Sequence, residues 1–157
     1  MLLSGTGSHR RRIADFMHDL GIQPQRIEFL PPCPRDEFLR YHSGIDIILD
    51  SFPYNGHTTS LDALWMGVPV VSLAGESAVS RAGLSQLTNL GLPEFVAHAE
   101  NEYVAIATEL AGDLPRLAEL RETLRPRMEA SVLMDAVRFT RGIENAYRKM
   151  WRRWCEG

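Results

Sequence analysis

Between residues 50 and 62 the chain reads Asp-Ser-Phe-Pro-Tyr-Asn-Gly-His-Thr-Thr-Ser-Leu-Asp. Its Pro and Asn-Gly content marks a loop, and the residues that follow have helical character. Such a segment can hold an anion without any full positive charge. A helix N-terminus presents N–H groups that lack intrahelical acceptors and carries a partial charge of about half an electron. A phosphate is its natural ligand. Asn55-Gly56 lets a backbone approach closely, and the Thr58 and Thr59 hydroxyls add donors. The same residues also fit plainer roles. Thr59 followed three positions later by Asp62 is close to a capping box, although Glu or Gln is more usual there. His57 equally fits a loop histidine satisfied by backbone.

Positioning this loop takes a strand before it and a helix after it. Ile45-Asp46-Ile47-Ile48-Leu49-Asp50 is rich in β-branched residues and barely alternates, the pattern of a strand buried on both faces. A helix is expected from Thr59 to Met66, ended by Gly67, and Pro69-Val70-Val71-Ser72-Leu73 supplies another buried strand. Strand, loop, helix and strand with short connections make a βαβ unit. In open parallel sheets ligands bind beyond the carboxyl ends of the strands, where this loop begins.

Upstream, Leu2-Leu3-Ser4 is a short apolar start followed by a loop with two glycines. Ile13, Phe16, Met17 and Leu20 recur at helical spacing over residues 8–20, with Gly21 placed to end the helix. Residues 26–30 read as a short strand, and a helix follows Pro34 through Tyr41 with acidic residues in its first turn. Downstream, residues 80–90 look helical and stop at Gly91-Leu92-Pro93. Tyr103, Ile106, Ala107 and Leu110 form one apolar stripe, and Leu114, Leu117, Leu120 and Leu124 another. A final helix over residues 135–154 carries Phe139, Ile143, Ala146, Met150 and Trp154 along one side, a spacing that predicts core. The expectation is one domain over residues 1–157, α/β in front and helical behind.

Composition excludes several classes. The chain has 157 residues, 45% apolar and 24% charged, with a net charge of −3. That balance argues against a nucleic-acid partner, which leaves a basic footprint. Arg10-Arg11-Arg12 and Arg152-Arg153 read as solvated helix faces or a cation-rich helix end. Cys33 and Cys155 show no zinc or redox spacing and read as reduced thiols. No apolar run approaches the ~20 residues of a membrane span, and the N-terminus lacks a signal peptide's apolar stretch. A cytoplasmic protein with no membrane partner is expected.

Asn55-Gly56-His57-Thr58-Thr59, then Asp62, Leu64-Trp65 and Gly67-Val68-Pro69-Val70-Val71, resembles the nucleotide-binding signature of the O-linked N-acetylglucosaminyltransferases. Gly75-Glu76, Ser80-Arg81, Ser85-Gln86-Leu87 and Leu90-Gly91 continue the resemblance in order, and it ends in the Met150-Trp151 helix. With Phe-Pro-Tyr before Asn-Gly, the bacterial tetratricopeptide-linked members look most similar. The resemblance implies a GT-B architecture of two Rossmann-like lobes, a UDP-sugar donor held mainly by the second, and no metal or other cofactor. Carried over by motif, Thr58 and Thr59 would contact the diphosphate with His57 beside them, and Asp62 would accept from ribose hydroxyls. Arg35 stands where relatives place a lysine near the uridine, which keeps the charge and changes its geometry. Phe38 stands where animal members have a histidine. Its ring could pack on the base or ribose, or simply face the inner side of its helix.

The resemblance further implies that the chain matches only the C-terminal part of the catalytic region. The first strand–helix unit of the second lobe, the whole first lobe and the repeats that bind protein acceptors have no counterpart here. The leading expectation is therefore a glycosyltransferase lobe for UDP-N-acetylglucosamine or a related UDP-sugar, acting on protein hydroxyls in the full enzyme and inactive alone. The alternative is a non-catalytic nucleotide-binding or assembly module. In the usual strand order 3-2-1-4-5 the strands near residues 2–4, 26–30, 45–50 and 69–73 would be second to fifth. The absent first strand would fall between 2–4 and 45–50. Residues 2–4 pairing directly with 45–50, or a homo-oligomer or partner segment covering the exposed strand, would close that gap.

Overall fold

A computed structural model describes residues 2–3 and 7–157, which form two compact units, residues 1–45 and 46–157. Ser4 and Gly5, read as strand end and loop start, lie outside the described residues.

The first unit is a βαβ pair followed by a helix. Strand β1 (Leu2–Leu3) runs parallel to β2 (Phe29–Leu30), with Leu2 opposite Phe29 and Leu3 opposite Leu30. Helix α1 (Ser8–Asp19) links them. Gly21 ends it as expected: at φ +79° its N–H donates to His18 O at 2.8 Å, and Ile22 N–H donates to Met17 O at 2.9 Å. The strand read over residues 26–30 is shorter, because Pro24–Arg26 form a 3-10 turn. Helix α2 (Arg35–Tyr41) starts directly after Pro34 and carries Asp36 and Glu37 in its first turn.

The second unit holds β3 (Ile48–Leu49), α3 (Thr58–Trp65), β4 (Val70–Leu73), α4 (Ala82–Asn89) and β5 (Val96–Ala97). The strands are parallel in the order β3-β4-β5, so two βαβ units follow one another. Helices α5 (Glu100–Gly112), α6 (Leu114–Glu129) and α7 (Ala136–Cys155) complete the chain. The β1-β2 pairing within the first unit and the β3-β4 pairing within the second are neighbour pairs that the expected order contains, and β5 adds a strand beside β4.

Central position decides burial. Strand β4, paired on both edges, is buried along its whole length, and α3, α4 and α5 all pack on it. Leu64, Val70, Leu87, Leu92, Leu120 and Leu124 form the centre of the core. Among the described residues strand β3 pairs with β4 alone, and Leu49 is 58% exposed, so the expectation of a strand buried on both faces fails there. Strand β5 was not legible: only two residues pair, and no alternation can show in two residues.

Helix α6 secures the far end of α3. Arg125 Nε donates to Trp65 O at 2.9 Å, with its guanidinium 5.1 Å from the Trp65 ring centroid. Cations at the last carbonyls suit the negative end of the helix dipole. Gly67 is required here twice over: its φ is +80°, and a Cβ would stand 2.5 Å from Arg121 O.

The final helix corrects the sequence reading. No residue of α7 is buried, and Phe139, Ile143, Tyr147, Met150, Trp151 and Trp154 are all exposed. Periodicity reports that a helix has an apolar face. It does not report that the described chain contains the surface to cover it.

Candidate functional site

Strand β3 delivers the chain to Asp50, which is 7% exposed and fully used. Its Oδ1 accepts the Gly56 N–H at 2.7 Å, and its Oδ2 accepts the Ser72 hydroxyl from β4 at 2.7 Å. The Asp50 carbonyl accepts Tyr103 O–H from α5 at 2.9 Å. Burial, and next the Asp50 charge, push the Tyr103 hydroxyl up to about 12. One carboxylate thus ties the loop to the next strand, where only close hydrogen bonding makes a buried charge tolerable.

Asn55 continues the brace. Fully buried, it donates from Nδ2 to Ser51 O at 3.0 Å, and its own N–H donates to Val79 O at 3.0 Å. Gly83 N–H, in the first turn of α4, points to Asn55 Oδ1 at 3.5 Å. One turn on, Gln86 Nε2 donates to His57 O at 3.1 Å. Gly75 and Arg81 close the neighbouring loop: Gly75 N–H donates to Ser80 O at 2.9 Å and Arg81 Nη1 to Gly75 O at 2.9 Å. The three blocks singled out in sequence, around Asn55, Gly75 and Gln86, therefore form one framework.

On this framework stands the N-terminus of α3. The helix begins at Thr58, one residue earlier than expected, and His57 is its N-cap with no side-chain capping bond. Thr59 is thus inside the first turn rather than capping it, so the capping box with Asp62 does not form. The first intrahelical bond is Leu61 N–H to His57 O at 3.2 Å, and by helix geometry the first-turn N–H groups face outward. His57, Thr58 and Thr59 are exposed. The His57 ring sits 5.8 Å from the Tyr54 ring. Gly56 is demanded by packing: a Cβ there would collide with Ser60 Oγ and stand 2.9 Å from Thr59 Oγ1.

Asp62 lies one turn below Thr58 and Thr59 on the same side of α3, and it is buried. His57, Thr58, Thr59 and Asp62 are therefore brought together. Arg35 and Phe38 belong to the first unit, on α2. Arg35 is exposed as the first helical residue. Phe38 is half-buried, with its ring edge-on to His42 at 4.9 Å. His42 Nδ1 also lies 3.0 Å from Phe38 O. Phe38 makes these contacts at the C-terminal end of its own helix.

Sequence reasoning left the supporting residues without roles. Asp50 was read as a strand end and Tyr103 as part of an apolar stripe. A readable signal existed for Asp50, a carboxylate closing an otherwise apolar strand. Nothing local points to Tyr103, whose partner lies 53 residues away.

With this geometry in hand, comparison with known proteins is specific. Residues 3–143 match the family described as Glycosyl transferase family 41. A rice (Oryza sativa subsp. japonica) protein named probable UDP-N-acetylglucosamine–peptide N-acetylglucosaminyltransferase SPINDLY is 44% identical over 151 residues, covering 96% of this chain and 16% of its own length. A Caenorhabditis elegans UDP-N-acetylglucosamine–peptide N-acetylglucosaminyltransferase is 37% identical, over 92% of this chain and 13% of its own. Among solved structures, a Thermobaculum terrenum O-GlcNAc transferase mutant superposes with a TM-score of 0.86 at 44% identity, covering 93% of this chain and 28% of that one. The chain thus spans about a sixth of the length of the curated relatives it matches.

Proposed function

The chain belongs to glycosyl transferase family 41, and from that premise we propose that it is a donor-binding part of a protein O-glycosyltransferase, holding the diphosphate of UDP-N-acetylglucosamine or a related UDP-sugar. One observation carries the reading. The α3 N-terminus is open and uncapped, its exposed His57-Thr58-Thr59 is raised on a buried polar brace, and its other end is closed by α6.

The chemistry is electrostatic. When a sugar leaves its diphosphate, negative charge grows on the phosphate oxygens. Pre-aimed N–H groups and the Thr58 and Thr59 hydroxyls would stabilise that charge without reorganising. Asp62 would take ribose hydroxyls, and the family resemblance assigns Arg35 and Phe38, in the first unit, to the uridine. The acceptor is a protein, reached through parts of the enzyme outside this chain. The uncovered face of α7 supports a chain that works within a larger polypeptide or assembly. A cytoplasmic address is part of the same proposal.

Titrating the chain with UDP, with GDP in parallel, while following backbone amide resonances tests the site. Shifts should centre on residues 55–62. Thr59→Ala should weaken UDP binding roughly ten-fold, the worth of one charge-assisted hydrogen bond. Shifts confined to α7 would overturn the assignment.

A further inference from the structure

We propose that Gln86 is a positioning residue for the anion-binding turn, setting from the buried side of α4 the direction in which the first N–H groups of α3 point. The inference rests on the donor-site reading above and deepens it.

Gln86 is 8% exposed and reaches away from its own helix. Its Nε2 donates to His57 O at 3.1 Å and, at greater length, to Gly56 O at 3.5 Å. Two adjacent carbonyls fix which end of the amide is nitrogen, since an oxygen turned toward them would repel both. The consequence passes through the peptide planes. In a trans peptide the C=O and the following N–H point in opposite directions, and the plane is rigid. Holding the His57 carbonyl on the Gln86 side therefore directs the Thr58 N–H the other way. Holding the Gly56 carbonyl does the same for the His57 N–H. One side-chain nitrogen orients two successive donors at the mouth of α3.

The other end of the amide separates positioning from mere stabilisation. Gln86 Oε1 is buried and has no hydrogen-bond partner among the described residues. For stability alone the amide is a poor occupant, because its satisfied nitrogen is offset by an unsatisfied oxygen. Leucine, of similar volume and without polar atoms, would fill the same space about as well. It would leave the Gly56 carbonyl without that donor and the His57 carbonyl held by the Leu61 N–H alone.

Gln86→Leu and Gln86→Glu in the full 157-residue chain test this, with UDP as the probe. The leucine variant should keep a urea midpoint close to the parent's, show displaced or broadened Thr58 and Thr59 amide signals without ligand, and bind UDP about five-fold or more weakly. The glutamate variant supplies a rescue. An ionised carboxylate cannot donate to His57 O, whereas a protonated one can, so its UDP affinity relative to the parent should recover as pH falls through its titration. If the leucine variant fails to fold, that pH profile carries the test. Unchanged Thr58 and Thr59 signals, or affinity and stability lost in proportion, would overturn the inference. A parent chain that binds no UDP, together with displaced signals in the leucine variant, would instead overturn the donor-site reading and leave the positioning role standing.

Discussion

Replacing Asp50 separates hydrogen bonding from charge at the centre of the brace. Asp50→Ala removes both acceptors and leaves the Gly56 N–H and the Ser72 hydroxyl inside the protein, each formerly bonded at 2.7 Å. Each stranded buried group costs on the order of 1–3 kcal/mol, and no longer burying a carboxylate returns part of that. The net expectation is a loss of about 3 kcal/mol. Asp50→Asn behaves differently. Its Oδ1 can still accept from Gly56, and its Nδ2 can donate to Ser72 Oγ, because a hydroxyl both gives and receives. Only the charge-assisted strength is lost, about 1 kcal/mol. Urea unfolding of parent, alanine and asparagine variants measures these differences as midpoint shifts at constant slope. UDP affinity should follow the same order, since the Gly56 N–H anchors the turn. Adding Ser72→Ala to each background should give a coupling of at least about 0.5 kcal/mol with Asp50. Equal destabilisation by alanine and asparagine would refute the accounting, because charge rather than hydrogen-bond geometry would then hold the loop.

Two further outcomes follow from burial and titration. Tyr103 titrates near 12 in the folded chain, above the usual 10. Folding therefore favours its protonated form, and that contribution is present below pH 10 and lost as pH rises toward 12; after discounting for its half-exposed position it is about 1 kcal/mol. The urea-midpoint advantage of parent over Tyr103→Phe should shrink across that window, and a constant difference from pH 8 to 11 would contradict the cause. Leu124→Ala, at a fully buried core position, should cost about 2–5 kcal/mol. Trp154→Ala, at a position 79% exposed, should change stability by less than about 0.5 kcal/mol. Comparable losses in those two variants would mean that α7 is covered in solution.

Local patterns carried most of the fold. Gly21 and Gly67 marked helix ends because αL geometry is a property of the residue itself, and each is found at φ near +80°. Leu120 and Leu124 were legible as core because their partners lie within the unit that contains them. Leu49 and Trp154 were misread for the opposite reason: an apolar residue's burial depends on what stands opposite, which no window of sequence contains. At the site, the motif named the exposed residues His57, Thr58 and Thr59. It was silent on how Asp50, Ser72, Gln86 and Tyr103 hold them, because all of those bonds but the one from Gly56 N–H to Asp50 span 22 to 53 residues.

The distribution of charge explains why that hidden brace matters. From residue 46 to residue 80 the second unit contains no lysine or arginine. A flexible ammonium would attract phosphate from many directions and would tolerate a loosely held loop. Backbone N–H groups and hydroxyls attract it only along their own axes, and hydrogen bonds weaken steeply once misaligned. Asp50 uses one of the available donors, the Gly56 N–H, to fix the loop. On the proposed donor-site reading, the remaining donors at Thr58 and Thr59 would act as a fixed array whose strength depends on alignment. For donors of this kind, alignment decides how much each contributes. On that reading the buried residues behind α3 would share in the site's chemistry although none of them needs to touch the ligand.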